Sequence, residues 1–138
     1  KGVVDTADTI EELAEAAGIA SRLQLFGAMD AAERATIWAT ATAVLAPATG
    51  FAFPARMIEA FAVGAPVIAR DTLTLREVAA DAASLVSSDA PDAWATAVAD
   101  LLGDADSAKR LGVLAEDRSR AFAWRDAGDR VWALHADL

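Results

Sequence analysis

Residues 43–69, AVLAPATGFAFPARMIEAFAVGAPVIA, carry the reading that decides the fold. Residues 43–46 are a short, uninterrupted apolar run stopped by Pro47, and residues 66–69 are a second one. A strand without polar alternation expects cover on both faces, the mark of a parallel sheet. Between the two runs, Met57, Ile58, Phe61 and Ala62 recur at helical spacing. Pro54 stands where a first-turn proline is favoured, and Gly64 where a helix-ending glycine is favoured.

The same alternation extends outward. Upstream, Asp8-Thr9-Ile10-Glu11 is a capping box, with Ile10, Leu13, Ala14 and Ala17 as the apolar stripe behind it and Gly18 as the stop. Residues 22–26 alternate polar and apolar types and end at Gly27, which predicts a short strand. Asp30-Ala31-Ala32-Glu33 is a second capping box, opening a helix to about Ala41. Downstream, Thr74-Leu75-Arg76-Glu77 caps a short helix, and residues 83–86 make a further strand. After Pro91, Trp94, Ala97, Val98, Leu101 and Leu102 mark a helix. Leu111 and Leu114 belong to another, and Ala127, Val131, Leu134 and Leu138 to the last. The order α-β-α-β-α-β-α-β-α-α-α contains no repeat and no linker. It predicts an α/β, Rossmann-like, doubly wound parallel sheet with C-terminal helices, a single domain over residues 1–138.

Composition bounds the function. The 138 residues include 37 alanines and 39 larger apolar residues, enough for one core built around thin, alanine-faced helices. A positive mean hydropathy argues against disorder. The net charge of −9 supplies no basic field, which argues against a nucleic-acid partner and against a polyanionic membrane surface. The absence of cysteine excludes disulfides, thiol catalysis and thiolate metal sites, and suits a cytoplasmic location. Residues 35–55 carry no charge. Thr36, Thr40, Thr42 and Thr49, with Pro47 and Pro54, nevertheless spoil a membrane span of about 20 apolar residues. The chain opens on Lys1 rather than Met, so its natural N-terminus is expected upstream.

In parallel α/β sheets, ligands bind beyond the carboxyl ends of the strands. Two loops are expected there, residues 27–30 and residues 47–53. The second leads into a helix whose first turn (Pro54, Ala55, Arg56, Met57) offers backbone N–H groups to an anion.

A set of ordered motifs then points to a family. These are Leu23-Gln24-Leu25-Phe26-Gly27, Val44-Leu45-Ala46-Pro47, the run from Gly50 through Phe53-Pro54-Ala55-Arg56-Met57-Ile58-Glu59 to Ala62, Gly64-Ala65-Pro66-Val67-Ile68-Ala69, Glu77-Val78-Ala79-Ala80-Asp81-Ala82-Ala83 and Phe122-Ala123-Trp124. Together they resemble the C-terminal, nucleotide-sugar-binding domain of family-4 retaining glycosyltransferases, which have the two-domain GT-B fold. The resemblance runs from about Gly2 to the end of the chain.

It implies a donor-binding lobe lacking its first strand–helix segment and its N-terminal lobe, and a chain that does not turn over alone. The partner it implies is a nucleotide-sugar, with no metal and no other cofactor. The family signature Glu-Gly-Phe-Gly/Pro ends on a second glutamate, and Glu59 fills that place, where it would accept the ribose hydroxyls. The first glutamate and its glycine are replaced by Phe51 and Ala52, so the carboxylate expected to hold the transferred sugar is missing. The nucleotide would lie over Gly27, Ala28 and Met29 and over the loop of Phe51, Ala52, Phe53, Pro54, Ala55 and Arg56, with the diphosphate at Ala55 and Arg56 and the base recognised around Ala28 and Met29. Two functional readings stand: an active donor lobe, or a degenerate binding or scaffold module. The sheet edge left by the missing segment suggests a homo-oligomer.

Each candidate also has a plainer reading. Glu59 fits a solvated helix surface, and Arg56 fits a pairing with Glu59 three residues on, the reading favoured for that residue. Phe51 either stacks on a ligand or plugs an emptied pocket. His135 has no carboxylate or serine at partner spacing and reads as structural or exposed. Asp5, Asp8, Asp89 and Asp92 read as caps and turns, and Glu11, Glu12 and Glu15 as a charged helix face. Trp38, Trp94, Trp124 and Trp132 are expected to pack in the core or between helices.

Overall fold

In the computed structural model, which describes residues 6–47 and 53–136, the chain divides into two compact units, Lys1–Asp30 and Ala31–Leu138. The first holds helix α1 (Thr6–Ala16) and a 3-10 turn (Ala20–Arg22). Helix α1 starts at Thr6, so the expected Asp8 cap position lies inside its first turn. Of the expected stripe, Ala14 is buried while Leu13 stays exposed. Gly18 ends the helix at φ +68°. Its N–H donates to the Glu15 carbonyl and that of Ile19 to the Ala14 carbonyl, both at 2.9 Å, a Schellman closure.

No strand forms over residues 22–26, a correction to the expected first strand. The reason is local. The N–H of Arg22 donates to Ile19 at 2.8 Å and that of Leu23 to Ala20 at 3.1 Å, so the segment starts with its donors spent on the 3-10 turn.

The second unit holds helix α2 (Ala31–Thr40) and then the sheet: β1 (Val44–Ala46), α3 (Ala55–Ala62), β2 (Val67–Arg70), α4 (Leu73–Ala79) and β3 (Ala83–Val86). The three strands are parallel in the order β1-β2-β3, with Val44 opposite Val67 and Val67 opposite Ala83. Helices α5 (Pro91–Gly103) and α6 (Ala105–Ser119), a 3-10 turn (Arg120–Phe122) and α7 (Trp124–Ala136) complete it.

Of the two apolar runs expected to be covered on both faces, the second is: Val67, Ile68 and Ala69 are fully buried. The first is not: β1 lies at the edge of the three-stranded order, its residues are at most partly buried, and Leu45 is 49% exposed. Alternation sends Val67 and Ala69 to a cluster with Met57, Ala60 and Phe61 of α3, Leu75, Val78 and Ala79 of α4, and Ala115 of α6. Ile68 packs on the other face with Val86 and Leu101. Strands stepping one way with right-handed crossovers put α3 and α4 on one face, which leaves the other to α5. Among the described residues, Phe61, Ile68 and Val67 are the largest fully buried side chains, each worth about 1.5–3 kcal/mol of transfer free energy.

Three further expectations need adjusting. Pro54 is the residue before α3 (φ −82°, ψ 60°) rather than its first helical residue. Helix α4 is capped by Thr72, whose Oγ1 accepts from the Leu75 N–H at 3.2 Å, and Thr74 lies inside it. An N-cap needs extended backbone, which Thr72 has at ψ 158°. Trp38 and Trp94 pack against the two clusters, but Trp124 and Trp132 are 91% and 73% exposed. Val131 and Leu134 beside them are exposed as well: helical spacing demands a covering surface, and the described residues supply none over this stripe.

Candidate functional site

Helix α3 is turned by its own core residues. Met57, Ala60 and Phe61 point into the sheet, so Glu59 falls on the opposite side with Arg56 at its flank, and 37% of the Glu59 side chain is accessible. Gly64 (φ +68°) closes the helix by donating to Phe61 at 2.9 Å, while Ala65 donates to Ala60 at 3.1 Å. This fixes where α3 ends and hence which face it presents.

Two guanidinium groups converge on the Glu59 carboxylate. Arg34 of α2 donates from Nε to Oε2 at 3.1 Å and from Nη2 to Oε1 at 3.5 Å. Arg56 donates from one nitrogen, Nη1, to Oε2 at 2.9 Å and to Oε1 at 3.1 Å. Arg34 lies one helical turn before Trp38, whose packing against the core holds that face of α2 toward α3. Partial burial would raise the Glu59 carboxyl, but the hydrogen bonds and charges of Arg34 and Arg56 outweigh it and hold the group below the usual carboxylate range. Glu59 is therefore ionised at neutral pH.

Beside it lies a cavity of about 400 Å³, lined by Phe53, Ile58 and Glu59 on one side and Phe122, Trp124 and Arg130 on the other. Phe53 meets Phe122 edge to face, with ring centroids 6.1 Å apart. Such apolar walls around a few polar groups suit an organic ligand with a planar part. A larger groove of about 650 Å³ runs along β3 and α5 past Ser87, Asp100 and Asp104 and contains none of the residues assigned to a donor. Among the described residues, no three His, Cys, Asp or Glu side chains gather as a metal would require.

The structure brings Phe53, Pro54, Ala55, Arg56 and Glu59 together at the start of α3. Two of the N–H groups expected to meet phosphate are occupied: Ala55 donates to the Phe53 carbonyl at 2.8 Å and Met57 to that of Pro54 at 3.0 Å. The pairing of Arg56 with Glu59 is present. Phe51 and Ala52 lie outside the described residues, and Gly27, Ala28 and Met29 belong to the first compact unit. Arg34 escaped the sequence reading. Its four-residue spacing to Trp38 placed it on the packed face of α2, but nothing local pointed to a partner 25 positions away.

A family profile described as "Glycosyl transferases group 1" matches residues 2–118. A D-inositol 3-phosphate glycosyltransferase from Corynebacterium glutamicum is 30% identical over 134 residues, 96% of this chain and 32% of that protein. One from Nocardia farcinica is 32% identical over 138 residues, 93% of this chain and 31% of that protein. Among solved structures, a sucrose-phosphate synthase from Thermosynechococcus elongatus superposes with a TM-score of 0.87 at 26% identity, covering 98% of this chain and 35% of the other. The chain spans about a third of the length of the curated relatives it matches.

Proposed function

This chain belongs to the glycosyl transferases group 1 family, and on that premise we propose that it is the donor-binding lobe of an enzyme that transfers a sugar from a nucleotide-diphosphate sugar with retention of configuration. Glu59 accepts the two ribose hydroxyls of the nucleotide. The observation that carries this reading is the Glu59 carboxylate itself, ionised, partly exposed and set on the wall of a cavity of about 400 Å³. A vicinal diol offers two O–H donors, and a carboxylate offers one oxygen to each.

The diphosphate lies against the start of α3. There the Arg56 guanidinium supplies a full positive charge and the helix end a partial one. As the glycosidic bond breaks, its electron pair passes to the diphosphate oxygen, and preorganised positive groups stabilise the charge that develops. The acceptor site and the remaining donor contacts belong to the rest of a longer polypeptide, so the 138-residue chain by itself is expected to bind without turning over. Neither a metal nor a further cofactor enters this scheme. The reaction is assigned to the cytoplasm, where nucleotide donors are available; no helix among the described residues is long and apolar enough to cross a membrane.

One observation favours a second reading. Phe51 and Ala52 stand where the family pattern has a glutamate and a glycine, and loss of that carboxylate suits a module that binds nucleotide or scaffolds a partner without transferring sugar. Calorimetric titration with UDP, GDP and ADP tests the binding shared by both readings. One of the three is expected to bind, and Glu59→Ala to weaken it at least tenfold, about 1.4 kcal/mol. Binding unchanged by the substitution would move the site away from Glu59. Sugar transfer by the longer polypeptide then separates enzyme from module.

A further inference from the structure

The two arginines on Glu59 are not equivalent. Arg34 reaches it from another helix, its side chain is 15% accessible, and its Nε and Nη2 each take a different carboxylate oxygen. Arg56 sits three residues away on the same helix with its side chain 64% accessible, and a single nitrogen spans both oxygens. Two oxygens accept about four hydrogen bonds in all. Arg34 and Arg56 together make four, so the carboxylate is saturated before any ligand arrives.

A diol that donates to both oxygens must therefore displace one arginine. Releasing Arg56 moves a solvated side chain whose exposed pairing is worth little. Releasing Arg34 would strip a two-point, partly buried contact and free the carboxylate to rotate. We infer that Arg34 is the positioning residue that aims Glu59 at the ribose, and that Arg56 is the counter-ion the ribose displaces. This rests on the ribose role of Glu59 proposed above.

The test compares calorimetric affinities of the nucleoside diphosphate that binds with those of its 2′,3′-dideoxy analogue, which lacks the diol. The wild-type chain is expected to prefer the ribose form at least tenfold. Arg34→Ala is expected to cut that preference to threefold or less, through loss on the ribose side alone. Arg34→Gln, which keeps much of the side-chain volume, is read in parallel in case alanine unfolds the α2–α3 contact. Arg56→Ala is expected to keep the preference at tenfold or more, even where overall affinity falls with a phosphate-side cation.

A merely structural Arg34 would weaken both nucleotides alike, and that result overturns the inference. So does a preference that survives both Arg34 variants but vanishes in Glu59→Ala. So does an Arg56→Ala variant that loses the preference as Arg34→Ala does. Equal binding of the ribose and dideoxy forms by the wild type, or a preference untouched by Glu59→Ala, overturns the ribose reading and this inference with it.

Discussion

Gly112 of α6 approaches Gly64 so closely that a Cβ built on Gly112 would stand 2.6 Å from the Gly64 carbonyl oxygen. The obstacle is backbone, which cannot rotate aside as a side chain would. Gly112→Ala is therefore expected to push α6 off the end of α3 and to cost about 1–3 kcal/mol, the usual range for overpacking. Urea unfolding of the two proteins checks it, and an unchanged midpoint would refute the contact.

Arg118 fastens α6 to α4. Its Nε donates to the Val78 carbonyl at 2.8 Å and its Nη2 to that of Glu77 at 2.9 Å, while the guanidinium lies 5.0 Å from the centre of the Phe122 ring. Arg118→Met keeps most of the apolar stem but leaves two carbonyls at the end of α4 without their donor. A loss of about 1.5–2 kcal/mol is expected in thermal or urea unfolding, in the range for hydrogen bonds to a charged group.

Ala80, just after α4, holds φ at 51° with ψ at −111°, a backbone region in which a side chain is strained. Ala80→Gly removes the Cβ that is crowded there. The gain exceeds the extra chain entropy glycine brings to the unfolded state, so a net stabilisation of about 1 kcal/mol is expected. Destabilisation by the same substitution would contradict the assigned backbone.

The lowered Glu59 carboxyl makes stability depend on pH in a fixed direction. A carboxylate favoured in the folded state adds stability above its unfolded value, and that contribution disappears as the pH falls through the folded value. Wild type should therefore lose stability relative to Glu59→Gln as pH drops from about 6 to below the ordinary carboxyl range near 4.3. Unfolding free energies of both proteins across that interval measure the difference, which should shrink towards acid. A constant gap would mean that the arginines do not hold the carboxylate.

The elements that surround the site were legible for particular reasons. Val67, Ile68 and Ala69 form a run that makes sense only with two covered faces, and both faces are covered. Gly18 and Gly64 each follow a helical stripe and each takes the left-handed conformation that ends a helix. Misreadings arose where two local signals competed or where the partner is distant. Thr72 and Thr74 both offer capping hydroxyls, and only the end of β2 at Arg70 decides between them. Alternation over residues 22–26 describes a strand's faces but supplies no neighbour, and the turn before it had already taken its first donors. Glu59 was singled out as a candidate through its place in a motif. Its pairing with Arg34 was not legible, because that contact depends on how α2 lies against α3.

The four tryptophans divide into two optical populations. Trp94 donates its indole N–H to the Ser88 carbonyl at 3.0 Å and Trp38 packs on the core, whereas Trp124 and Trp132 already face water in the native chain. Emission from the last two will barely move on denaturation. A melting curve followed by intrinsic fluorescence therefore weighs the surroundings of α2 and α5 and passes over α7, whose own transition has to be followed by helical circular dichroism.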